Sequence, residues 1–306
     1  MPVTTRSRGK KTPTKKKSGL SVDDEAKEAM ETLRTTFRSG KTRSMEWRRA
    51  QLKAFAKMCI EEREKLCGAL KQDLHKCKFE SYFFEVNQLE HEIGEHLAHM
   101  DEWAKPRAVS TDLLNIPGSS FIKPDPLGVV CIIGAWNYPI LLSLQPLVGA
   151  ISAGNCVLLK MPSHKYSAAT SRVVAELCAK YLDTSAIRVL EGDRYMTQAV
   201  LKGKYDNYFF TGGSYVGKMV YEAAARELTP CILELGGKSP CVRSNLSLSL
   251  SRNDSSSTLK YRLWTNRVTF VPRRIDFVKE SGRMRVRRVL HLTIFSYVVL
   301  ERIITQ

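Results

Sequence analysis

The 306-residue sequence lacks any run of about 18 apolar residues, the length that a membrane-spanning helix requires. The nearest candidate, residues 289–300, is shorter and is interrupted by His291, Thr293 and Ser296. Residues 1–20 lack the apolar core of a secretory signal. These absences argue against a membrane-spanning or secreted protein, and we expect a cytoplasmic one. Attachment to a membrane surface through the basic residues 283–288 is the alternative.

Cysteine is absent from residues 242–306, and the cysteines elsewhere lack metal-binding spacing. They contain no C-x-x-C pair, which argues against a zinc site or a disulfide framework. The two histidines in residues 91–96 are five positions apart, so they do not share a helix face as a helical zinc motif requires. We expect no metal site and a reducing environment. The eight cysteines are Cys59, Cys67, Cys77, Cys131, Cys156, Cys178, Cys231 and Cys241.

Net charge is nearly absent from the central part of the chain. The formal charge is +17, but residues 1–20 hold seven basic and no acidic residues, and residues 242–306 hold thirteen basic and four acidic residues. Residues 21–241 are therefore close to neutral, which argues against a basic groove for nucleic acid. We interpret residues 1–20 as a disordered basic tail, with a nuclear-targeting signal at residues 10–17 as the alternative.

Apolar residues recur at helical spacing from residue 22 to about residue 103, as in Leu52, Phe55 and Cys59. Prolines and glycines interrupt the pattern from there to Pro126, with a short extended run at Ser119–Ile122. The sequence therefore predicts amphipathic N-terminal helices and an extended arm over residues 21–126.

From residue 127 onward, short β-rich apolar runs alternate with helical runs. The predicted strands are Gly128–Gly134, Asn155–Lys160, Ile187–Leu190, Tyr205–Thr211 and Cys231–Leu235. The predicted helices are Ile140–Ile151, Ala168–Leu182, Tyr195–Leu201 and Val216–Ala225. This alternation predicts a doubly wound α/β domain with a parallel sheet over residues 127–242, in which ligands bind outside the carboxyl ends of the strands. Residues 243–306 show no domain pattern and are expected to form a basic tail.

Two polar residues follow predicted strands. Asn137, in Ala135-Trp136-Asn137-Tyr138-Pro139, can donate an N–H to an oxyanion, although an Asn before a Pro is also common in turns. Lys160 ends a strand, where its ammonium can bind ribose hydroxyls or phosphate. A solvated lysine at the end of a strand is the alternative.

Two further motifs occupy equivalent places. The glycine turn at residues 211–218 follows a strand and opens a helix, so that a pyrophosphate can approach the helix N–H groups, although an ordinary turn is the alternative. Glu234, in the run Leu233–Pro240, ends the last strand and suits a general base, although a glutamate there is often structural.

Taken in order, the Asn, the Lys, the glycine turn and the Glu resemble the aldehyde dehydrogenase superfamily, and within it the class 3 branch for fatty and aromatic aldehydes. The resemblance covers roughly residues 21–242 and implies a Rossmann-like nucleotide-binding domain. The closest stretches are Arg48–Lys53, Leu113–Ser120, Pro126–Val130, Gly134–Pro139 and Leu233–Cys241.

The resemblance also implies roles for individual residues. Asn137 looks like the amide that stabilises the oxyanion, and Glu234 looks like the base that activates water. Members of the family oxidise an aldehyde to a carboxylic acid through a thioester on a Cys thiolate, and they are usually homodimers. The residues implied to contact NAD or NADP are Trp136, Lys160, Gly212 and Gly217.

Three departures from the family pattern stand out. Met161-Pro162-Ser163-His164 follows Lys160 where the family usually has Pro-Ser-Glu, so we expect an altered contact to the adenosine ribose. Gly213 replaces a small polar residue. After Val242 an unrelated basic tail without cysteine stands where the family has its catalytic domain and nucleophile. Cys241 is not expected to replace that nucleophile, since it follows Glu234 on what should be the same strand.

The sequence therefore predicts an NAD(P)-dependent aldehyde dehydrogenase that is truncated before its catalytic cysteine, so that this 306-residue chain does not oxidise aldehydes. The alternative is a non-catalytic NAD(P)-binding fragment or a regulatory form. A protein that binds nucleic acid or anionic membranes through its basic flanks is a third reading, although the near-neutral central part argues against it.

Overall fold

A computed structural model describes residues 21–237 and four two-residue strands near the carboxyl end. The chain divides into two compact units, and the first contains all the described residues up to Leu235. This unit has an α/β fold, as the sequence predicts. Within the described part of the chain, no helix is both long enough and apolar enough to cross a bilayer.

The N-terminal part is helical, as predicted, because polar side chains cap the helices and apolar faces pack inward. Ser21 accepts a hydrogen bond from the Asp24 amide at the start of the first helix, and Ser44 does the same for the Trp47 amide at the second. The helices are α1 (Val22–Arg38), α2 (Met45–Glu61), α3 (Arg63–Leu74), α4 (Lys78–Ser81) and α5 (Asn87–Trp103), with a π-helical stretch at Tyr82–Val86 between the last two.

The predicted extended arm is a short antiparallel hairpin. Its strands are β1 (Arg107–Val109) and β2 (Ser120–Ile122), and Ala108 pairs with Phe121. Between the strands, Leu113 and Leu114 are almost fully exposed. The hairpin therefore presents apolar side chains that its own residues do not cover.

A parallel five-stranded sheet follows the arm. Its strands are β3 (Val129–Ile133), β4 (Cys156–Lys160), β5 (Ile187–Leu190), β6 (Asn207–Thr211) and β7 (Cys231–Glu234). The intervening helices are α6 (Leu141–Ser152), α7 (His164–Tyr181), α8 (Arg194–Val200) and α9 (Ser214–Arg226). The strand order is β5-β4-β3-β6-β7, and every neighbouring pair is parallel. This is the predicted doubly wound arrangement.

Helices cover both faces of the sheet. Right-handed crossovers place α6 and α7 on one face and α8 and α9 on the other. The N-terminal helices extend both layers, because α1 packs against α8 and the strands while α2, α3 and α5 pack against α6 and α7. Every residue of β3 and β4 is buried, and a single apolar core joins the helical layer to the sheet.

The predicted strands are confirmed to within two residues at each end. The regular part of α7 begins at Ala168, as predicted, because Ser167 has non-helical angles of φ −150° and ψ 47°. A short turn from His164 precedes this kink, and the Ser163 hydroxyl caps it by accepting a hydrogen bond from the Lys165 amide.

The remaining described strands belong to the part of the chain after Glu234. They are β8 (Val242–Arg243), β9 (Arg262–Leu263), β10 (Lys279–Glu280) and β11 (Arg283–Met284). β8 pairs with β9 and β10 pairs with β11, both antiparallel. The predicted tail at residues 1–20 lies outside the described residues, as does Cys241, and so does most of the predicted tail at residues 243–306.

Asp183, just before β5, joins the helical layer to the sheet. Its carboxylate lies 2.5 Å from Lys41 Nζ and accepts a 3.0 Å hydrogen bond from the Trp47 indole. Burial works against the charged form, but the bonds from Lys41, Ser185 and Trp47 outweigh it and lower the pKa of Asp183 to about 2. The carboxylate is therefore more favourable in the folded than in the unfolded chain.

Replacing Asp183 by Asn is expected to reduce the free energy of unfolding by about 2 kcal/mol at neutral pH. A carboxyl with a depressed pKa stabilises the fold above its ordinary value of 3.8, and that contribution disappears as the pH falls towards about 2. The difference between the two proteins should therefore shrink below pH 4. Urea unfolding from pH 3 to pH 7 measures it.

Asp23→Asn is the matched control, because the Asp23 pair with Lys202 is exposed and exposed ion pairs contribute little. Its effect should stay within about 0.5 kcal/mol. An Asp183→Asn effect no larger than that of the control would contradict the stabilising role of this carboxylate.

Candidate functional site

The predicted site residues all lie at one edge of the sheet. Lys160 ends β4, the loop with Asn137 follows β3, Gly212 follows β6 and Glu234 ends β7. The strands that carry these residues end level with one another at this edge. Ile133, the last residue of β3, pairs with Lys160 on one side and with Phe210, two residues before Gly212, on the other. The direction in which the chain crosses the sheet reverses between β3 and β6, which is where a doubly wound sheet opens a crevice for ligands.

The loop after β3, residues 134–140, carries Asn137. The loop is buried at Gly134 and Ala135 and again at Pro139, but Trp136 and Asn137 are exposed. The Asn137 main-chain oxygen accepts a 2.9 Å hydrogen bond from Lys76 Nζ, and the Asn137 side chain lies at the exposed tip. The Asn137 side chain is therefore accessible to a ligand at the carboxyl edge of the sheet.

Glu85 lies beneath the same loop and is completely buried. One of its oxygens is 2.7 Å from Lys76 Nζ, and the other accepts hydrogen bonds from the amides of Ile140 (2.9 Å) and Leu141 (3.2 Å). Burial raises the pKa of Glu85, although the Lys76 ammonium and the two amides favour the carboxylate. Neither Lys76 nor Glu85 lies in a motif of the sequence.

Lys160 lies at the predicted edge but is buried rather than solvated. Its Nζ donates a 2.9 Å hydrogen bond to the main-chain oxygen of Gly192, in the loop after β5. The same loop contains Glu191, whose carboxylate lies 3.1 Å from His164 Nε2. The lysine ammonium is thus directed along the carboxyl edge of the sheet towards β5.

Glu234 is half-buried at the end of β7. Its main-chain oxygen accepts a 3.0 Å hydrogen bond from the Gly212 amide, which joins the glycine turn to the glutamate. Three strand spacings separate β4 from β7, so the backbones of Lys160 and Glu234 are roughly 14 Å apart. The two residues can therefore contact only different parts of an extended ligand.

Close packing accounts for two glycines of the glycine turn. A Cβ at Gly212 would lie 2.6 Å from the Phe210 ring, and one at Gly217 would lie 2.8 Å from Leu235 Cδ2. These two glycines allow α9 to pack closely on the sheet. Gly213, which replaces a small polar residue of the family pattern, is the open position, because no described atom lies within 4 Å of its Cβ site.

Aromatic rings flank the loop. The rings of Trp136 and Tyr166 lie 5.3 Å apart, and both side chains are exposed. Tyr166 precedes the irregular residue Ser167 of α7. Tyr166, two residues beyond the altered segment, therefore lies against the loop with Asn137.

Most of the described thiols near the sheet and in the helical layer are poor nucleophiles because they are buried, and the exposed Cys77 is the exception to that burial. Burial raises the pKa of Cys59, Cys156 and Cys178 to about 12 and that of Cys231 to about 11. Burial also raises the pKa of Cys131. Thiols with raised pKa values remain protonated at neutral pH, and the thiolate is the reactive form.

His91 and His96, the two histidines of the zinc-like motif, lie on different faces of α5. His91 is exposed, whereas His96 is buried beside Glu92. Within the described residues, no group of three or more His, Cys, Asp or Glu side chains is arranged to hold a metal ion.

Comparison with known proteins identifies the family of the chain. The profile of the aldehyde dehydrogenase family matches residues 10–245. Mouse aldehyde dehydrogenase family 3 member B1 is 46% identical over 218 residues, which is 71% of this chain and 46% of the mouse protein. The chain spans about half the length of the curated relatives that it matches.

Solved structures give the same result. The substrate-bound state of Staphylococcus aureus AldH superposes with a TM-score of 0.67 at 35% identity, covering 70% of this chain and 46% of that one. The P. syringae indole-3-acetaldehyde dehydrogenase AldA, solved with NAD+ and IAA, gives a TM-score of 0.63 at 25% identity, covering 71% of this chain and 44% of that one.

The start of the loop that carries Asn137 should tolerate no side chain. A Cβ at Gly134 would lie 2.0 Å from Ser143 Oγ and 3.3 Å from its Cα, inside the buried start of α6. Gly134→Ala is therefore expected to reduce the free energy of unfolding by about 1–3 kcal/mol. Urea denaturation measures the change.

Gly94→Ala is the matched control and should have the opposite sign. Gly94 is exposed within α5, and no described atom lies within 4 Å of its Cβ site. Alanine in a helix interior is more favourable than glycine by about 0.5–1 kcal/mol. Equal effects of the two substitutions would contradict the close packing of the loop against α6.

Proposed function

The chain belongs to the aldehyde dehydrogenase family, and we propose that it binds NAD or NADP at the crevice between β3 and β6 and carries two of the groups that oxidise an aldehyde to a carboxylic acid. The single observation that carries the proposal is the convergence of Asn137, Lys160, the glycine turn and Glu234 at one edge of the sheet.

The residues at this edge fit a dinucleotide. α9 begins after Gly213 without a side-chain cap, so its first amide N–H groups are available to phosphate oxygens. The open space at Gly213 leaves room for the ligand. Lys160 supplies a cationic donor farther along the same edge, on the side of β5, where it can contact another part of the extended ligand. The exposed Trp136 ring supplies an apolar surface. We propose that Gly212 and Gly217 contribute indirectly, by letting α9 pack close to the sheet.

In the proposed reaction, Asn137 and Glu234 have separate roles. NAD(P), when bound, supplies the hydride acceptor. The exposed Asn137 side chain donates an N–H to the oxygen of the aldehyde as negative charge develops there. Glu234, half-buried at the end of β7, accepts a proton from the water that hydrolyses the thioester.

The described thiols whose pKa is raised by burial do not supply the nucleophile, and the exposed Cys77 caps α4, where its Sγ accepts a hydrogen bond from the Glu80 amide. We therefore propose that this 306-residue chain by itself binds the cofactor without turning over, which is the behaviour of a non-catalytic or regulatory form. The protonated state of the buried thiols supports this, because attack on an aldehyde requires a thiolate.

We also propose a cytoplasmic location and self-association. The described cysteines are all unpaired, which fits a reducing compartment. The exposed Leu113, Leu114 and Phe121 of the hairpin offer an apolar surface that a second copy of the chain can cover.

Sedimentation of the purified chain tests the self-association. The parent chain should sediment as a larger species than the Leu114→Asp variant, and equal sedimentation of the two would contradict the role of this surface.

Cofactor binding is the first test. Titration with NAD and with NADP, followed by calorimetry and by tryptophan fluorescence, should give saturable binding to the 306-residue chain. Lys160→Met should weaken that binding about tenfold or more, because a hydrogen bond from a charged donor is lost.

Lys202→Met is the control, because Lys202 is an exposed lysine that follows α8, away from the carboxyl edge, and pairs with Asp23. It should leave the affinity unchanged. A folded chain that binds neither nucleotide, or a Lys160→Met variant that binds as well as the parent, would contradict the proposed site.

Turnover is the second test. Incubation of the chain with NAD(P) and a series of fatty and aromatic aldehydes should give no reduced nucleotide above background at 340 nm. Formation of NADH at enzymatic rates, of the order of one per second or faster, would contradict the proposed lack of turnover and would require a nucleophile within this chain.

A further inference from the structure

Lys76 and Glu85 form a buried ion pair that touches the loop carrying Asn137 at several places. Lys76 Nζ donates to the Asn137 main-chain oxygen at 2.9 Å and lies 3.8 Å from the centre of the Tyr138 ring. Glu85 accepts from the amides of Ile140 and Leu141. The pair thus contacts four of the five consecutive residues from 137 to 141.

Both carboxylate oxygens of Glu85 and the ammonium group of Lys76 have polar partners. One carboxylate oxygen of Glu85 meets the Lys76 ammonium at 2.7 Å, and the other meets two amides that the start of α6 leaves without intrahelical partners. A carboxylate at a helix N-terminus is also favoured by the helix dipole. The loop is therefore fixed at its tip by Lys76 and at its end by Glu85.

The local backbone around both residues is unusual. Glu85 lies in the π-helical stretch Tyr82–Val86, and π-helical turns are rare and frequently occur at functional sites. Lys76 follows His75, which ends α3 with a left-handed φ of 56°. Both features interrupt regular helix at the two positions that reach the loop.

Stability alone does not account for this arrangement. Removing two charges from water costs several kcal/mol per ion, and buried pairs often stabilise a protein no more than apolar residues of the same size. The pair is better explained by the geometry that it imposes on the backbone it contacts. Here the geometry it imposes is that of the loop with Asn137.

We propose that Lys76 and Glu85 are positioning residues that hold the Asn137 loop in the orientation from which its side chain reaches the substrate oxygen. This inference rests on the proposed function for the role of Asn137, but the mechanical part of it is measurable without any nucleotide or aldehyde. The pair acts through the main chain and does not touch the reacting atoms.

Amide hydrogen exchange of the 306-residue chain without ligand tests the proposal. In Lys76→Met, exchange across residues 134–141 should accelerate about tenfold or more, while exchange in β3 stays unchanged. In Glu85→Gln the effect at Ile140 and Leu141 should be smaller, because the glutamine carbonyl still accepts a hydrogen bond. The Asn137 side-chain amide signals, identified with Asn137→Asp, should broaden or shift in Lys76→Met.

Arg63→Met is the matched control. Arg63 forms a 2.9 Å ion pair with Glu90 in the same helical layer, without a hydrogen bond to the loop. It should leave exchange at residues 134–141 and the Asn137 signals unchanged. Circular dichroism establishes that each variant is folded.

The outcomes separate the two proposals. Unchanged loop exchange in a folded Lys76→Met would show that the pair does not position the loop. Acceleration spread evenly through the helical layer and the loop, or equal acceleration at residues 134–141 in Lys76→Met and Arg63→Met, would show that the pair is merely structural. Local acceleration together with absent nucleotide binding in the parent chain would overturn the proposed function and leave the positioning role standing.

Discussion

The parallel pairing of β3 with a neighbour on each side is the constraint on which the site depends. β3 is buried along its whole length and bonds to β4 and β6 in a common register. Because parallel strands end at the same edge, this register brings together residues that are far apart in the chain. From β3 the chain first crosses the sheet towards β5 and then returns to β6 on the other side of β3. This change in the direction of crossing opens a crevice between β3 and β6, beside the loops that carry the site residues.

Much of this arrangement could be predicted from the sequence, because it follows from patterns that are local. The apolar runs of the sheet and the polar residues directly after them identify Asn137, Lys160 and Glu234 without any tertiary information. Parallel pairing then decides that they share an edge. The burial of Lys160 and its bond to Gly192 could not be predicted, since they depend on where the next loop of the sheet lies.

Other features are non-local and left no recognisable signal. Lys76 meets Asn137 across a separation of 61 residues, and neither Lys76 nor Glu85 lies in a motif. The short turn that precedes the kink in α7 could not be predicted, because Ser163 resembles any loop serine until its hydroxyl is seen to accept from the Lys165 amide. For Gly213, the absence of a side chain is visible in the sequence, but the open space beside it is a property of the packed structure.

The contact of Lys76 with the loop after β3 bears on how this fold can be divided. A boundary near residue 126 is natural for the chain, since helices lie before it and the sheet after it. The loop that presents Asn137 nevertheless takes part of its support from before that boundary and part of its backbone from after it. The helical layer is therefore part of the site, because the loop that presents Asn137 is bonded to it. An exchange of either segment between relatives would have to carry both halves of this contact to preserve the loop.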